Sequence, residues 1–262
     1  MEHMEAKISI VMPVHNAVDY LSQSITAIKD QSFSDWELIC IDDGSSDGSR
    51  EVLLSYAGLD QRIKVLCNDE PRGAGWSRNR GIAESNGNYV MFCDADDWYD
   101  PNACAEMLKA IERRKADMVQ CYAIIEPEFD NSPPCDIRWF NPPVKWYGLL
   151  RRPHRGINSL CWEKIIRRDF IMRNNIRFPE TAKHEDEVFC AECAIAARKT
   201  SILPKPLYHY RLRGGSLMHT ERPDECLIWR HNIKTLKDWA MENGFSERRT
   251  VRKYIKKWEA QC

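Results

Sequence analysis

Apolar residues recur along the first half of this chain in two alternating rhythms. Short continuous runs with the length and bounding of buried strands occur at 7–14 (KISIVMPV), 36–41 (WELICI), 63–67, 89–93 and 117–125. Between them, apolar positions fall three or four apart, as Leu21, Ile25 and Ile28 do within 19–31, which is the spacing that lines one face of a helix. Further helices are predicted over 74–85 and 102–115, and another begins near Ser49, where Ser46 or Asp47 can cap it. Pro13 stands at the end of the first run, where a strand tolerates proline. Strands alternating with helices of ten to fifteen residues predict an α/β fold with a mostly parallel central sheet and right-handed crossovers.

The second half is less regular. Between 126 and 155 two proline pairs, Pro133-Pro134 and Pro142-Pro143, mix with Trp139, Phe140, Trp146 and Tyr147. They describe an irregular excursion over the sheet, and long loops of that kind are often functional. Helical spacing returns over 159–175, with Trp162, Ile165, Ile166 and Phe170 on one face. It returns again after His184-Glu185-Asp186-Glu187, with Val188, Phe189, Ala191 and Ile195, and once more beyond Pro223.

Composition narrows the class. With 262 residues, 43% hydrophobic and 29% charged, the chain suits one large domain with or without a small appendage. No apolar run has the length of a membrane span, and the acids before the first run mark a strand entry rather than a signal peptide. A net charge of −1 supplies no field for nucleic acid. The eleven cysteines are odd in number and scattered through strand and helix patterns, which fits buried free thiols and a cytoplasmic location better than a disulfide framework. Cys190 and Cys193 lie within a helical pattern without a second pair, so they read as core.

Candidate chemistry concentrates at Asp94, Asp96 and Asp97, three carboxylates within four positions after the 89–93 run. In a parallel sheet the carboxyl end of such a strand opens into the crevice where ligands bind. Carboxylates crowded there repel one another unless a cation sits among them, and a divalent oxygen-seeking ion completed by substrate phosphate and water is the simplest. The other reading is an acidic turn ahead of the helix near Pro101, for which Asp100 serves as the N-cap. Neither a G-x-G-x-x-G turn nor a G-x-x-x-x-G-K-[ST] loop occurs, so a pyrophosphate here needs a metal and arginines instead. Arg211 and Arg213 are the candidates for that second part.

Taken in order, Pro13-Val14-His15-Asn16, Asp42-Asp43-Gly44-Ser45-Ser46-Asp47, Ser77-Arg78-Asn79-Arg80-Gly81, Asp94-Ala95-Asp96-Asp97, Glu185-Asp186 and Tyr210-Arg211-Leu212-Arg213 resemble the motif series of family 2 glycosyltransferases of the GT-A fold, bacterial surface-polysaccharide type. The resemblance spans roughly residues 7–217. It implies a 1–217 transferase domain, divided into a nucleotide-sugar half (1–125) and an acceptor half (126–217), followed by a helical extension (218–262). It further implies an inverting, hexosyltransferase-type transfer from a UDP-sugar to an acceptor hydroxyl, on a saccharide or lipid-linked saccharide, with Mn2+ or Mg2+.

Residue by residue, the resemblance assigns Pro13, Val14, His15 and Asn16 to the first nucleotide loop and Asp43 to the base, with Asp42 orienting the turn. The family usually has tyrosine at the place of His15; a histidine still stacks on a base. Arg78 approaches the base and steadies the Asp43 loop. Asp94 and Ala95 lie on the nucleotide, while Asp96 and Asp97 share the metal role, the ion's direct ligand being open between them. Arg211 and Arg213 hold the diphosphate, and Asp186 is the general base, with Glu185 orienting the acceptor or the loop. His184 and Trp162 are candidates for the acceptor side. The rivals are a nucleotide-sugar pyrophosphorylase, which needs a glycine-rich first loop that 13–19 lacks, and an inactive nucleotide-sugar-binding protein. Finally, 248–258 combines six basic residues with Tyr254, Ile255 and Trp258, the composition of an interfacial helix on an anionic membrane.

Overall fold

The structure, a computed structural model, describes residues 7–127, 158–181, 183–212 and 223–260. Its strands are β1 (Ile8–Val14), β2 (Trp36–Asp43), β3 (Ile63–Asn68), β4 (Tyr89–Phe92), β5 (Trp98–Tyr99), β6 (Met118–Pro127), β7 (Lys164–Arg167) and β8 (Thr200–Leu212). The helices are α1 (Val18–Lys29), α2 (Ser49–Leu59), α3 (Ala74–Glu84), α4 (Ala103–Arg114), α5 (Arg168–Arg173), α6 (Glu185–Ala196), α7 (Glu225–Glu242) and α8 (Arg249–Glu259). All eight strands join one sheet in the order β3-β2-β1-β4-β7-β6-β8-β5.

Continuous apolar strands call for helices on both faces, and the core divides accordingly. Ile8, Ile10 and Met12 of β1 share one buried cluster with Leu21, Ile25 and Ile28 of α1 and Met107 and Ile111 of α4. Val11, whose side chain points to the opposite face, belongs to a second cluster with Ile82 of α3, Phe189 of α6, and Trp229 and Trp239 of α7. Asp47 ties the N-termini of two helices together. Its Oδ1 accepts the backbone N–H of Ser49 at 2.9 Å and its Oδ2 that of Val18 at 3.0 Å.

The first-half pattern holds: β1, β2, β3 and β4 are parallel neighbours. The second half departs from it. The helix expected over 159–175 is a strand, β7, antiparallel to both β4 and β6, followed by the six-residue α5. Ile165 and Ile166 enter the two opposite core clusters, and a short strand buried on both faces has no alternation to distinguish it from a helix. β5 also runs antiparallel to β8, so the sheet is mixed beyond β4.

The basic tail folds as α8, with Val251 and Trp258 buried in the cluster that holds α6 and α7. Arg252, Lys253 and Lys256 face outward. The apolar side expected to enter a membrane is therefore occupied by the protein's own core. Cys190 and Cys193 are buried free thiols, as expected. Among the described residues no helix is long and apolar enough to cross a membrane.

Candidate active site

The carboxyl ends of β1, β2 and β4 lie at one edge of the sheet because these strands are parallel. That places 13–16, Asp42-Asp43 and Asp94–Asp97 around a common crevice. Hydrogen bonds sew the first two segments together: Ser45 Oγ accepts the N–H of Asn16 at 3.1 Å, and Asn16 Oδ1 accepts that of Ser46 at 2.9 Å. His15 Nδ1 donates to the Asp43 carbonyl at 2.8 Å, leaving the ring exposed. Asp42, fully buried, pairs with Arg50 at 2.7 Å and accepts the N–H of Ser45 at 3.3 Å, so it holds the turn.

Asp43 is only 4% exposed. Its carboxylate accepts Asn68 Nδ2 at 2.7 Å and the N–H groups of Arg72 and Gly73 at 2.9 and 2.7 Å. It thus fixes the 68–73 loop against the end of β2. Gly44, at φ +68°, lies against this loop, and a Cβ there would meet Pro71 at 2.9 Å. The arginine expected to steady the loop does other work.

Arg78, 5% exposed, reaches across the crevice. One terminal nitrogen donates to Asp94 Oδ1 and the other to Glu185 Oε1, both at 2.7 Å. Gly75 in the first turn of α3 permits the approach, since a Cβ there would stand 2.5 Å from the Pro179 carbonyl and 3.2 Å from Glu185 Cγ. A guanidinium with two separated donors suits two carboxylates at once. The Asp94 strand end and the Glu185-Asp186 helix start, distant in sequence, thereby become one site.

The three aspartates after β4 divide into two kinds. Asp94 and Asp96 are partly exposed at the mouth of the crevice, whereas Asp97 is 1% exposed. Both Asp97 oxygens are engaged: Oδ2 accepts Tyr208 Oη at 2.7 Å and Oδ1 accepts the N–H of Arg211 at 2.8 Å. Burial, then the charges of Asp96 and Asp94, push its carboxyl well above the usual range, against these two hydrogen bonds. The Ala95 carbonyl accepts Ser24 Oγ at 2.8 Å, which fastens the turn to α1. Arg211 donates Nε to the Asp96 carbonyl at 2.9 Å and Nη2 to Gln23 at 2.6 Å, and it lies over the rings of Trp98 and Tyr20.

Tyr208 carries no signal in the sequence beyond its place in the Tyr-His-Tyr segment, yet it organises this turn. Fully buried, it stacks on Trp162 at 4.4 Å, and its hydroxyl donates to Asp97 while accepting the N–H of Asp94 at 3.2 Å. Arg213 lies outside the described residues, as does the excursion from 128 to 157.

Asp186 occupies the first turn of α6 between Glu185 and Glu187. Glu185 is paired with Arg78, and Glu187 accepts Trp258 Nε1 at 3.1 Å. The Asp186 carboxylate has no hydrogen bond or ion pair among the described residues. Burial first, then the charge of Glu185, push it well above the ordinary carboxylate range; Glu187 and Asp94 add to this and Arg78 opposes it.

No group of three or more metal-ligating side chains occurs among the described residues. Asp94 and Asp96 are nonetheless hard oxygen donors at the crevice mouth, which suits a divalent ion whose remaining ligands are phosphate oxygens and water.

The sequence model of glycosyl transferase family 2 matches residues 9–173. EpsH of Bacillus subtilis, named as a glycosyltransferase, is 31% identical over 216 residues, covering 80% of this chain and 62% of EpsH. The chain thus spans less than two thirds of that relative. The uncharacterized glycosyltransferase YibD of Escherichia coli is 30% identical over 242 residues, covering 87% of this chain and 68% of YibD. Among solved structures, S. aureus TarS 1-349 in complex with UDP-GlcNAc matches with a TM-score of 0.73 at 19% identity, over 93% of this chain and 69% of TarS 1-349. The mannosyltransferase PcManGT of Pyrobaculum calidifontis, in complex with GDP-Man and Mn2+, matches with a TM-score of 0.62 at 13% identity, over 99% of this chain and 81% of PcManGT. Both share the GT-A fold.

Proposed function

The chain belongs to glycosyl transferase family 2, and we propose that it moves a sugar from a UDP-sugar to an acceptor hydroxyl with inversion at the anomeric carbon. The observation that carries this reading is the Arg78 bridge, which joins Asp94 to Glu185 at 2.7 Å on each side and so brings Asp186, without a hydrogen bond or ion pair among the described residues, to the crevice of the three parallel strand ends. The acceptor is a saccharide or lipid-linked saccharide of surface-polysaccharide synthesis. The outward basic face of α8 attracts the anionic cytoplasmic membrane surface where a lipid-linked acceptor resides.

In this reading Asp186 takes the proton of the acceptor hydroxyl as its oxygen bonds to the anomeric carbon. The bond from that carbon to the β-phosphate oxygen breaks, and its electron pair leaves with UDP. An elevated carboxylate pKa strengthens such a base, provided the group is ionised at the working pH. Glu185, committed to Arg78, holds the turn rather than a proton. Asp43 serves the uracil by setting the 68–73 loop, with the exposed His15 and Asn16 held beside it on the 43–46 turn. Arg211, which reaches the Asp96 carbonyl, lies on the diphosphate side. Asp96, assisted by Asp94, would hold Mn2+ or Mg2+, which supplies charge stabilisation to the departing diphosphate. Asp97 is the strut beneath them, because both of its oxygens already serve Tyr208 and Arg211.

The test is a panel of UDP-, GDP- and TDP-sugars assayed for hydrolysis with and without Mn2+ or Mg2+. We expect metal-dependent release of sugar from a UDP-sugar, abolished in Asp96→Ala. Preferred hydrolysis of another nucleotide sugar would overturn the donor assignment. Near-normal turnover by Asp96→Ala at saturating metal would overturn the metal assignment. Donor binding without hydrolysis or transfer would favour the inactive binding protein.

A further inference from the structure

Residues 184–187 form a turn in which, among the described residues, three side chains are tied down and one is not. His184 adopts a left-handed backbone, φ +63°, which is uncommon for a residue with a Cβ and persists where the surroundings over-determine it. Those surroundings are α7 and its N-cap region. The His184 ring stacks on Trp229 at 4.3 Å and 24°, and its Nε2 lies 2.9 Å from Glu225 Oε1. Asn232 Nδ2 donates to the His184 carbonyl at 3.3 Å. On the far side of Asp186, Glu187 Oε2 accepts Trp258 Nε1 at 3.1 Å and Lys257 Nζ at 3.3 Å, both from α8. Glu185 is held from the opposite direction by Arg78.

We propose that Glu225 and Trp258, on the two C-terminal helices, are positioning residues for the base: together they brace both flanks of Asp186, which alone among three neighbouring acids has no hydrogen bond or ion pair among the described residues. The proposal rests on the reading of Asp186 as general base. Three consecutive carboxylates in one helical turn repel one another and compete for any nearby cation. Capturing Glu185 and Glu187 with separate partners removes both rivals and defines the direction of the side chain between them. A carboxylate misplaced by about 1 Å loses roughly a hundredfold in rate. Leu236, Trp239 and Ala240 pack α7 into the core away from residue 184, so the polar contact at His184 adds to that packing a hold on the turn that carries Asp186.

The variants are Glu225→Ala, Glu225→Gln and Trp258→Phe, each made in the wild-type and in the Asp186→Asn background. The readouts are kcat, donor affinity by calorimetry and Tm. Glu225→Ala is expected to lower kcat roughly ten- to a hundredfold while leaving donor affinity and Tm near wild type. Trp258→Phe removes the Nε1 donor while keeping an aromatic ring of smaller volume at a fully buried position, and it lowers kcat in the same sense with some loss of Tm. Glu225→Gln, which still meets His184 Nε2, restores most of the loss. In the Asp186→Asn background none of the three lowers residual transfer further. A kcat that stays at wild type in both Glu225→Ala and Trp258→Phe, while Asp186→Asn is dead, overturns the positioning role and leaves the base reading intact. Losses in Glu225→Ala that track a falling Tm, or losses that recur in full in the Asp186→Asn background, overturn it too. An Asp186→Asn enzyme that transfers at wild-type rate removes the base assignment, and this inference with it.

Discussion

Asp186 has a testable cost. Its folded-state pKa is raised by burial and by Glu185, so above the unfolded value of about 3.9 the unfolded chain binds fewer protons than the native one. Stability contributed by this group therefore falls as pH rises through that window. Asp186→Asn is expected to raise the urea midpoint, more at pH ~8 than at pH ~4, where the native aspartate is already protonated. The same variant should lose roughly 10²–10⁴ in kcat while donor affinity holds. A midpoint shift equal at both pH values would contradict the pKa argument. Arg78 presents the opposite case: Arg78→Ala leaves Asp94 and Glu185 facing each other without a countercharge, a loss of about 3–5 kcal/mol readable in denaturant unfolding. Asp94, Asp96, Glu185 and Asp186 are legible in the sequence because carboxylates crowd at the ends of recognisable elements. Arg78 is legible as a residue and misread as to partner, since its two contacts lie 16 and 107 positions away.

Element pairing accounts for the site residues that the sequence does not disclose. β5 is two residues long, too short for any periodicity, yet its antiparallel register sets Trp98 opposite His209 and Tyr99 opposite Tyr208. That register brings the end of β8 against the Asp94–Asp97 turn and delivers Tyr208 and Arg211 to Asp97. β8 itself contains Pro204 and Pro206, which disguise it as a loop, while β7 is disguised by burial on both faces. The parallel strands β1 to β4 are legible because each apolar run is followed by a helix-spaced segment. The hidden pairing has a measurable consequence. Tyr208→Phe keeps the stack on Trp162 but leaves Asp97 Oδ2 buried without its donor, which should cost about 1–3 kcal/mol of stability. Donor affinity should fall as well, because the same hydroxyl also holds the Asp94 backbone. Unchanged unfolding in urea by Tyr208→Phe would remove Tyr208 from its structural role.

At the scale of the whole molecule, the C-terminal helices close one face of the sheet and also present charge. The buried side of α8 is fixed by Val251 and Trp258, so membrane insertion through that side would require the helix to leave the core. Its outward side carries Arg249, Arg252, Lys253 and Lys256, and Lys257 next to it reaches Glu187, one residue from Asp186. A basic surface so near Asp186 would set the crevice close to a membrane-held acceptor while leaving the fold undisturbed. Attraction of this kind is electrostatic, about 1 kcal/mol per basic residue near an anionic surface, and is screened over about 8 Å at physiological salt. The protein should therefore co-sediment with phosphatidylglycerol vesicles at low salt, detach as salt is raised, and ignore phosphatidylcholine vesicles. Combining Arg252→Glu, Lys253→Glu and Lys256→Glu should abolish sedimentation without altering donor hydrolysis, since none of the three touches the crevice. Sedimentation that survives either the triple variant or high salt would mean that α8 is a solvated helix and any membrane contact lies elsewhere in the chain.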